Sequence, residues 1–305
     1  MTTDTITRLE DAAASVGAAD LAPARVRLRR DQRMRAIVKH VLLVIVGMLM
    51  IYPLLWMVSS SFKPNDLIFS SPGLIPERID LSNYTDGWNA LTHPFGHYIL
   101  NSAIIVAGSL VGNLVSCTMA AYAFARLKFR SRPFLFAVML LTLMLPVHVL
   151  IVPQYVLFSN IGWLNTFLPL IVPKFLATDA FFIFLMVQFF RGIPNELEEA
   201  ARIDGAGYWR TFLQIMLPLT IPALATTAIF TFIWTWNDFY SQLIFLTAPD
   251  MRTVPVALSN FVDTTSASSW GQLFAMSVIT LLPLFVVFLV GQRFLLRGIA
   301  TTGLK

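Results

Sequence analysis

The residues that could do chemistry fall into separate groups, each of a different kind. One is a charged run at 193–219, IPNELEEAARIDGAGYWRTFLQIMLPL, in which Glu196, Glu198, Glu199 and Asp204 crowd with Arg202 and Arg210 between two apolar stretches. Another is FIWTWNDFYSQL at 232–243. Sugars are bound by aromatic faces combined with hydrogen bonds to their hydroxyls; Trp234, Trp236 and Tyr240 offer the first, Asn237 and Asp238 the second. The tryptophans also fit an aromatic belt at a membrane interface. Asn237 and Asp238 fit a belt less well, because polar groups at membrane depth are costly unless they face a cavity or a partner. The last group is Lys174 and Asp179, ionisable residues inside an apolar block. On a straight helix positions 174 and 179 do not share a face, so their pairing is not assured, and Lys174 can equally well snorkel.

Other chemistry is excluded more simply. No G-x-x-x-x-G-K-[ST] loop occurs, and no Gly-Lys dipeptide, so a phosphate cradle for ATP is not expected in this chain. Energy for any transport must come from a partner or from an ion gradient. His93 and His97 flank Pro94 without an evident third ligand, and His40 and His148 stand alone, so no metal site is expected. The lone cysteine, Cys117, cannot form a disulfide within the chain and reads as a small buried apolar residue. No nucleophile–base arrangement is visible, and no cluster of acids, His or Cys gathers as an integral-membrane enzyme would need.

Composition says what must position these groups. The chain has 305 residues, 56% of them hydrophobic and 13% charged, against about 25% charged in an ordinary soluble domain. Its mean hydropathy is +0.70. Apolar residues arrive in blocks at roughly 38–61, 99–125, 133–152, 166–190, 217–245 and 272–295, each near the ~20 residues a helix needs to cross a bilayer. Helices are required because backbone groups in lipid must be satisfied within the segment, and the blocks lack the alternation of a β-barrel. The expectation is an all-α membrane protein with six transmembrane helices. The first block starts too late and is too long for a cleaved signal peptide.

Charge placement orients it. Arg8, Arg25, Arg27, Arg29, Arg30, Arg33, Arg35 and Lys39 precede the first block; Arg126, Lys128, Arg130 and Arg132 join the second to the third; Arg191, Arg202 and Arg210 join the fourth to the fifth; Arg293, Arg297 and Lys305 end the chain. The opposite connections hold only Lys63, Arg78 and Arg252. The positive-inside rule puts both termini in the cytoplasm and explains the basic tail without nucleic acid. Residues 1–36 read as a disordered basic cytoplasmic tail, and 37–305 as the membrane domain. The Pro-rich outer loop 62–98 and a second at 246–271 are candidate docking surfaces.

The 193–219 run then reads as a short cytoplasmic helix over 196–204. Pro194 ends the fourth span, Asn195 with Glu198 resembles a capping box, and the first-turn glutamates suit the helix dipole. Gly205 fits the position past the helix end, while Ala200 and Ala201 leave a low surface for a partner. Lipid-surface helices favour Lys and Arg, so the glutamates point to protein.

Glu199-Ala200-Ala201, then Asp204-Gly205-Ala206, then Ile215-Met216-Leu217-Pro218 resembles the EAA cytoplasmic loop of ABC importer permease subunits. YPLLWMVSSSFKP, NSAIIV, AAYAFARLKFRSR, FIWTWNDF and QRFLLRGIATTGLK are similar to the six-helix partner of the maltose-type, carbohydrate branch, over about residues 37 to 305. The resemblance implies a coupling helix between the fourth and fifth spans that seats in a cytoplasmic ATPase, with Glu198, Glu199, Ala200, Ala201, Asp204, Gly205 and Ala206 in the coupling segment. It implies a tail, Gly303, Leu304 and Lys305, that reaches the ATPase dimer. It also implies a second homologous permease, two ATPase copies that hold ATP and Mg while this chain binds no cofactor, an extracytoplasmic substrate-binding lipoprotein, and a bacterial cytoplasmic membrane with its lipid. Trp234, Asn237, Asp238 and Asp179 are the candidates for a substrate pathway. The alternatives are a permease for amino acids or peptides and an ion-gradient-driven carrier.

Overall fold

The computed structural model describes residues 34–262 and 269–302; the predicted tail up to residue 33 and Gly303, Leu304 and Lys305 lie outside the described residues. The described residues form helices and their connections, with no strand among them. The chain divides after Ser59 into two units. The first holds all but the last residue of α1 (Met34–Ser60), an unbroken apolar helix of mean hydropathy 2.6. Its 27 residues reach about 40 Å at 1.5 Å per residue, more than the ~30 Å hydrocarbon thickness.

The second unit is arranged around α3 (Phe95–Arg126), preceded by the short α2 (Ser82–Asn89). After α3 come α4 (Arg132–Thr142), α5 (Val147–Asn160), α6 (Ala180–Arg191), α7 (Glu196–Ile203), α8 (Tyr208–Leu219), α9 (Ile221–Trp236), α10 (Tyr240–Phe245), α11 (Val254–Ser259) and α12 (Trp270–Thr302). Helix α3 packs against α6 and α9, α9 packs on α12, and α12 on α2. The sequence of α3 explains its place. Ser102, Ser109, Gly112, Asn113, Cys117 and Ala121 are small and buried, while Leu100, Ile104, Val111, Val115 and Met119 are exposed. Small residues on one face let helices approach closely in a bilayer. A Cβ on Gly108 would lie 2.8 Å from Ile171, and one on Gly112 2.8 Å from Phe175. Apolar packing gathers at two places along α3: Cys117, Tyr122, Phe182, Phe190, Phe212 and Met216 near one end, and Phe95, Tyr98, Trp236, Val254 and Met276 near the other.

Three of the apolar blocks are not single helices, the fifth being broken at Thr220 and again at 237–239. The third is split, because α4 stops at Thr142 and α5 starts after Pro146, which supplies its extended N-cap. The fourth is interrupted: a helical turn at Leu168–Ile171 runs into a 3-10 turn at Val172–Leu176, Ala177 takes a left-handed φ of 52°, and α6 begins only at Ala180. Counted by length and hydropathy, the described residues hold four helices fit to cross a membrane, Met34–Ser60, Phe95–Arg126, Leu168–Arg191 and Trp270–Arg293. The α8 and α9 pair makes five if it is one crossing bent by 74°. That bend follows a π-helical stretch at Phe212–Met216 and falls at Thr220.

The connection before α2 is pinned from within. Lys63, 1% exposed, donates from Nζ to the carbonyls of Ser71 (2.7 Å) and Gly73 (2.6 Å), and Asn83 donates to Ser61 O and Lys63 O. The Asp80 carboxylate accepts from Ser82, by side chain and by backbone N–H, which holds its carboxyl below the usual carboxylate range. Ile75, Ile79 and Leu81 are left exposed on this connection.

Candidate functional site

Helix α7 has the three first-turn glutamates expected of it, with Arg202 in its last turn. It ends at Ile203, Asp204 is its C-cap, and Gly205 follows at φ 75°. That left-handed geometry closes the helix: Ala206 N–H reaches Ala201 O at 2.8 Å and Gly205 N–H reaches Arg202 O at 3.0 Å. The start of the helix departs from expectation. Asn195 is in helical conformation and makes no side-chain cap, so the capping box does not form. A different partner claims both of its polar side chains.

That partner is Arg126, the last residue of α3. Its Nη1 donates to Asn195 Oδ1, its Nη2 to the carbonyls of Phe190 and Ile193, and its Nε lies 3.3 Å from Glu198 Oε1. The two charged side chains are 6% and 9% exposed. Nε and Oε1 are paired by distance, without the alignment of a hydrogen bond. The guanidinium therefore sits where three helix ends meet and adds a donor to the carbonyls of Phe190 and Ile193, at and just past the end of α6. Sequence reasoning counted Arg126 only among orienting cations. A contact 72 positions from Glu198 leaves no local trace; the one available hint is an arginine closing a long apolar helix.

The two faces of α7 differ. Glu198 and Ala201 are buried against the body, whereas Glu196, Leu197, Glu199, Ala200, Arg202 and Ile203 face outward, Ile203 at 87% exposure. Ala201 thus belongs to the inner packing and only Ala200 to the open surface. Asp204 and Gly205 are exposed and Ala206 is half-buried. Tyr208 and Trp209 extend the open face, with Arg202 over the Tyr208 ring at 5.5 Å. A cavity of about 220 Å³ lies between α7 and α8, lined by Tyr122, Glu198, Arg202, Ala206, Gly207, Tyr208 and Thr211.

The other candidates lie along α6 and α9. Lys174 Nζ and Asp179 Oδ2 are 2.8 Å apart, so the broken helix makes the pair that a straight one would not. The break frees carbonyls, and α3 answers them: Ser109 donates to Leu170 O, Ser116 to Lys174 O and Cys117 to Asp179 O. Trp234 is half exposed and packs against Phe181 and Phe182, with centroids 5.2 and 5.0 Å away, beside the first turn of α6. Asn237 donates to Ile233 O in the turn behind it, and Asp238 accepts the Ser241 N–H at the start of α10. Among the described residues no hydrogen bond links any two of Asp179, Trp234, Asn237 and Asp238 side chains, and no group of His, Cys, Asp or Glu is arranged to hold a metal.

Residues 112–301 match the family described as the binding-protein-dependent transport system inner membrane component. A diacetylchitobiose uptake system permease protein, NgcG, from Streptomyces coelicolor is 36% identical over 88% of this chain and 89% of its own. The trehalose/maltose transport system permease protein MalG of Thermococcus litoralis is 32% identical over 88% and 98%. An sn-glycerol-3-phosphate transport system permease protein, UgpE, from Yersinia pestis is 34% identical over 85% and 94%. A bacterial ABC transporter that imports the acidic polysaccharide alginate contains a chain that superposes with a TM-score of 0.75 at 25% identity, over 87% of this chain and 97% of that one. The chain belongs to the binding-protein-dependent transport family as an inner-membrane permease component.

Proposed function

We propose that the chain is one permease subunit of an ATP-driven ABC importer for a sugar or oligosaccharide, forming half of the translocation pathway. The observation that carries the reading is α7: a short helix fixed to the body on one face, closed by Gly205 at positive φ, with Glu199 and Ala200 open on the other. Such a helix suits docking into a protein groove. Its partner is a cytoplasmic ATPase, present in two copies, which holds ATP and Mg. Taking α4 with α5 as one broken crossing and α8 with α9 as another gives six crossings with both termini in the cytoplasm of a bacterial cell. The exposed Ile75, Ile79 and Leu81 suit docking of the extracytoplasmic binding protein, and a second homologous permease completes the pathway.

Closure of the ATPases moves α7, and the permeases switch between inward- and outward-open states by rigid-body rearrangement. The π-helical stretch and the bend at Thr220 are natural places for that movement, since π-bulges recur at functional sites. Trp234, half exposed beside the first turn of α6, is the best-placed candidate to face the cargo; Asn237 and Asp238 have local partners and would contribute only by exchanging them. The terminal Gly303, Leu304 and Lys305 are assigned to the ATPase dimer. Relatives named for chitobiose and for trehalose/maltose support a carbohydrate, and the one named for glycerol phosphate keeps a charged polyol in view.

The test reconstitutes the importer and replaces Glu199 or Gly205. Uptake and ATP hydrolysis stimulated by the binding protein should fall while the permease still inserts; normal coupled transport in both variants would sink the reading. A panel of sugars, amino acids and peptides, scored by stimulation of ATP hydrolysis, decides the cargo class. Uptake that stops when the ion gradient collapses, yet survives loss of ATP, would indicate a secondary carrier.

A further inference from the structure

We propose that Arg126 is a positioning residue that locks α7 to the ends of α3 and α6, so that movement of α7 reaches both helices as one body. This rests on the reading of α7 as the ATPase-docking helix. A helix of eight residues is too short to be stable alone, and α7 is joined to its neighbours by the chain at 192–195 and at 204–207. Those connections transmit a push poorly unless something stiff spans them. Arg126 spans the first. Its planar fork reaches Phe190 O and Ile193 O on the α6 side, and Asn195 Oδ1 and Glu198 on the α7 side, from the last residue of α3.

The geometry asks for arginine in particular. A guanidinium offers five donors in a rigid plane, and a lysine ammonium is a flexible point charge that cannot hold the same spread of acceptors. The site is nearly dry, with the two side chains 6% and 9% exposed, so water cannot replace a lost contact cheaply. Among the described residues Glu198 is the only buried acid, and its charge is balanced by Arg126. Glu199, on the opposite face, stays free for the ATPase. Adjacent glutamates therefore divide the work: Glu198 holds the body and Glu199 meets the partner.

The experiment uses the whole importer in nanodiscs, with spin labels on Ile203→Cys of α7 and Val115→Cys of α3 in a Cys117→Ser background. Both label sites are exposed. The label-to-label distance is measured without nucleotide and with ATP plus vanadate. In the otherwise native chain the distance should stay the same in both states. In Arg126→Lys and in Arg126→Met/Glu198→Met, which removes both charges and keeps apolar bulk, the ATPase should still co-purify. There the distance should shift or broaden with nucleotide by about 1–2 Å, the scale of helix shifts at switching interfaces. A nucleotide-dependent distance in the native background overturns the lock, and so does an unchanged distance in both variants. Loss of the permease from the membrane in step with loss of ATPase binding marks Arg126 as a folding residue only and also overturns it. If the native chain purifies without an ATPase, the reading of α7 fails first, and that result is separate from any distance.

Discussion

Lys174 Nζ lies 2.8 Å from Asp179 Oδ2 across a break in the fourth apolar block, and the left-handed Ala177 between them makes the contact possible. The two side chains are 29% and 26% exposed, so solvent screens the pair and its worth is modest, about 1 kcal/mol. Asp179→Ala removes the partner of a half-buried ammonium. The melting temperature of the detergent-solubilised protein should drop by a few degrees, about 2–4 °C for each kcal/mol. Lys174→Met/Asp179→Leu, which leaves no charge behind, should recover most of that loss. Transport separates the two roles of Asp179. If it faces cargo, the double variant regains stability but not uptake; recovery of both would make the pair purely structural.

Gly205 carries a sharper expectation, because its φ of 75° is closed to most side chains while nothing lies within 4 Å of an added Cβ. The cost of substitution is conformational, with no clash to confuse it. Gly205→Asn tolerates the left-handed region and should lose little, whereas Gly205→Val should lose about 1–3 kcal/mol locally. The loss falls on the end of α7, so the amount of inserted protein should change little and co-purification of the ATPase should fall in the order Gly, Asn, Val. Equal behaviour of Asn and Val would contradict the left-handed assignment.

Much of this arrangement was legible in local sequence because its causes are local. Gly205 just past an amphipathic run predicted the helix end, and the α7 bounds differ from expectation by one residue. Hydropathy located the α1, α3 and α12 helices, since each is a long run without a break. It missed the interruptions at 143–146, at 177–179 and at Thr220, where Pro146, Ala177 and a 74° bend break an apolar composition that still looks continuous. Pairings between distant residues were not legible at all. Arg126 with Glu198, and Ser116 with the Lys174 carbonyl, depend on how helices pack. The capping box failed for the same reason, as Arg126 outcompetes a local cap for Asn195 and Glu198.

Lys63 is buried, and its ammonium meets two carbonyls, Ser71 O and Gly73 O. Charge-assisted bonds of this kind contribute about 1.5–3 kcal/mol when formed, but burying an ammonium costs several kcal/mol in return. The two nearly offset, so Lys63→Met should move the melting temperature by less than about 4 °C. The local effect is larger, because nothing else described ties Ser71 and Gly73 back to residue 63. Proteolysis within 64–80 should accelerate and amide exchange there should rise. Unchanged protection across that loop would show that Asn83 and the Phe62–Asp80 contact suffice to hold it.

Gly108 and Gly112 are one helical turn apart on α3, and both face the broken segment that carries Lys174. At Gly108 the obstructing atoms all belong to the Ile171 side chain, Cγ2, Cδ1 and Cγ1; at Gly112 they include the Lys174 backbone carbon at 3.0 Å. Side chains can repack, and backbone can move only if the Ser116 bond to Lys174 O, 2.6 Å long, moves with it. Gly108→Ala should therefore cost less than Gly112→Ala. Overpacking typically costs about 1–3 kcal/mol, and the upper end belongs to Gly112. The check is paired melting curves of the two variants, alone and with Ser116→Ala. Removing the Ser116 bond should soften the Gly112→Ala penalty and leave that of Gly108→Ala nearly unchanged. Additive behaviour at both positions would show that the Lys174 backbone is not held from α3 through Ser116.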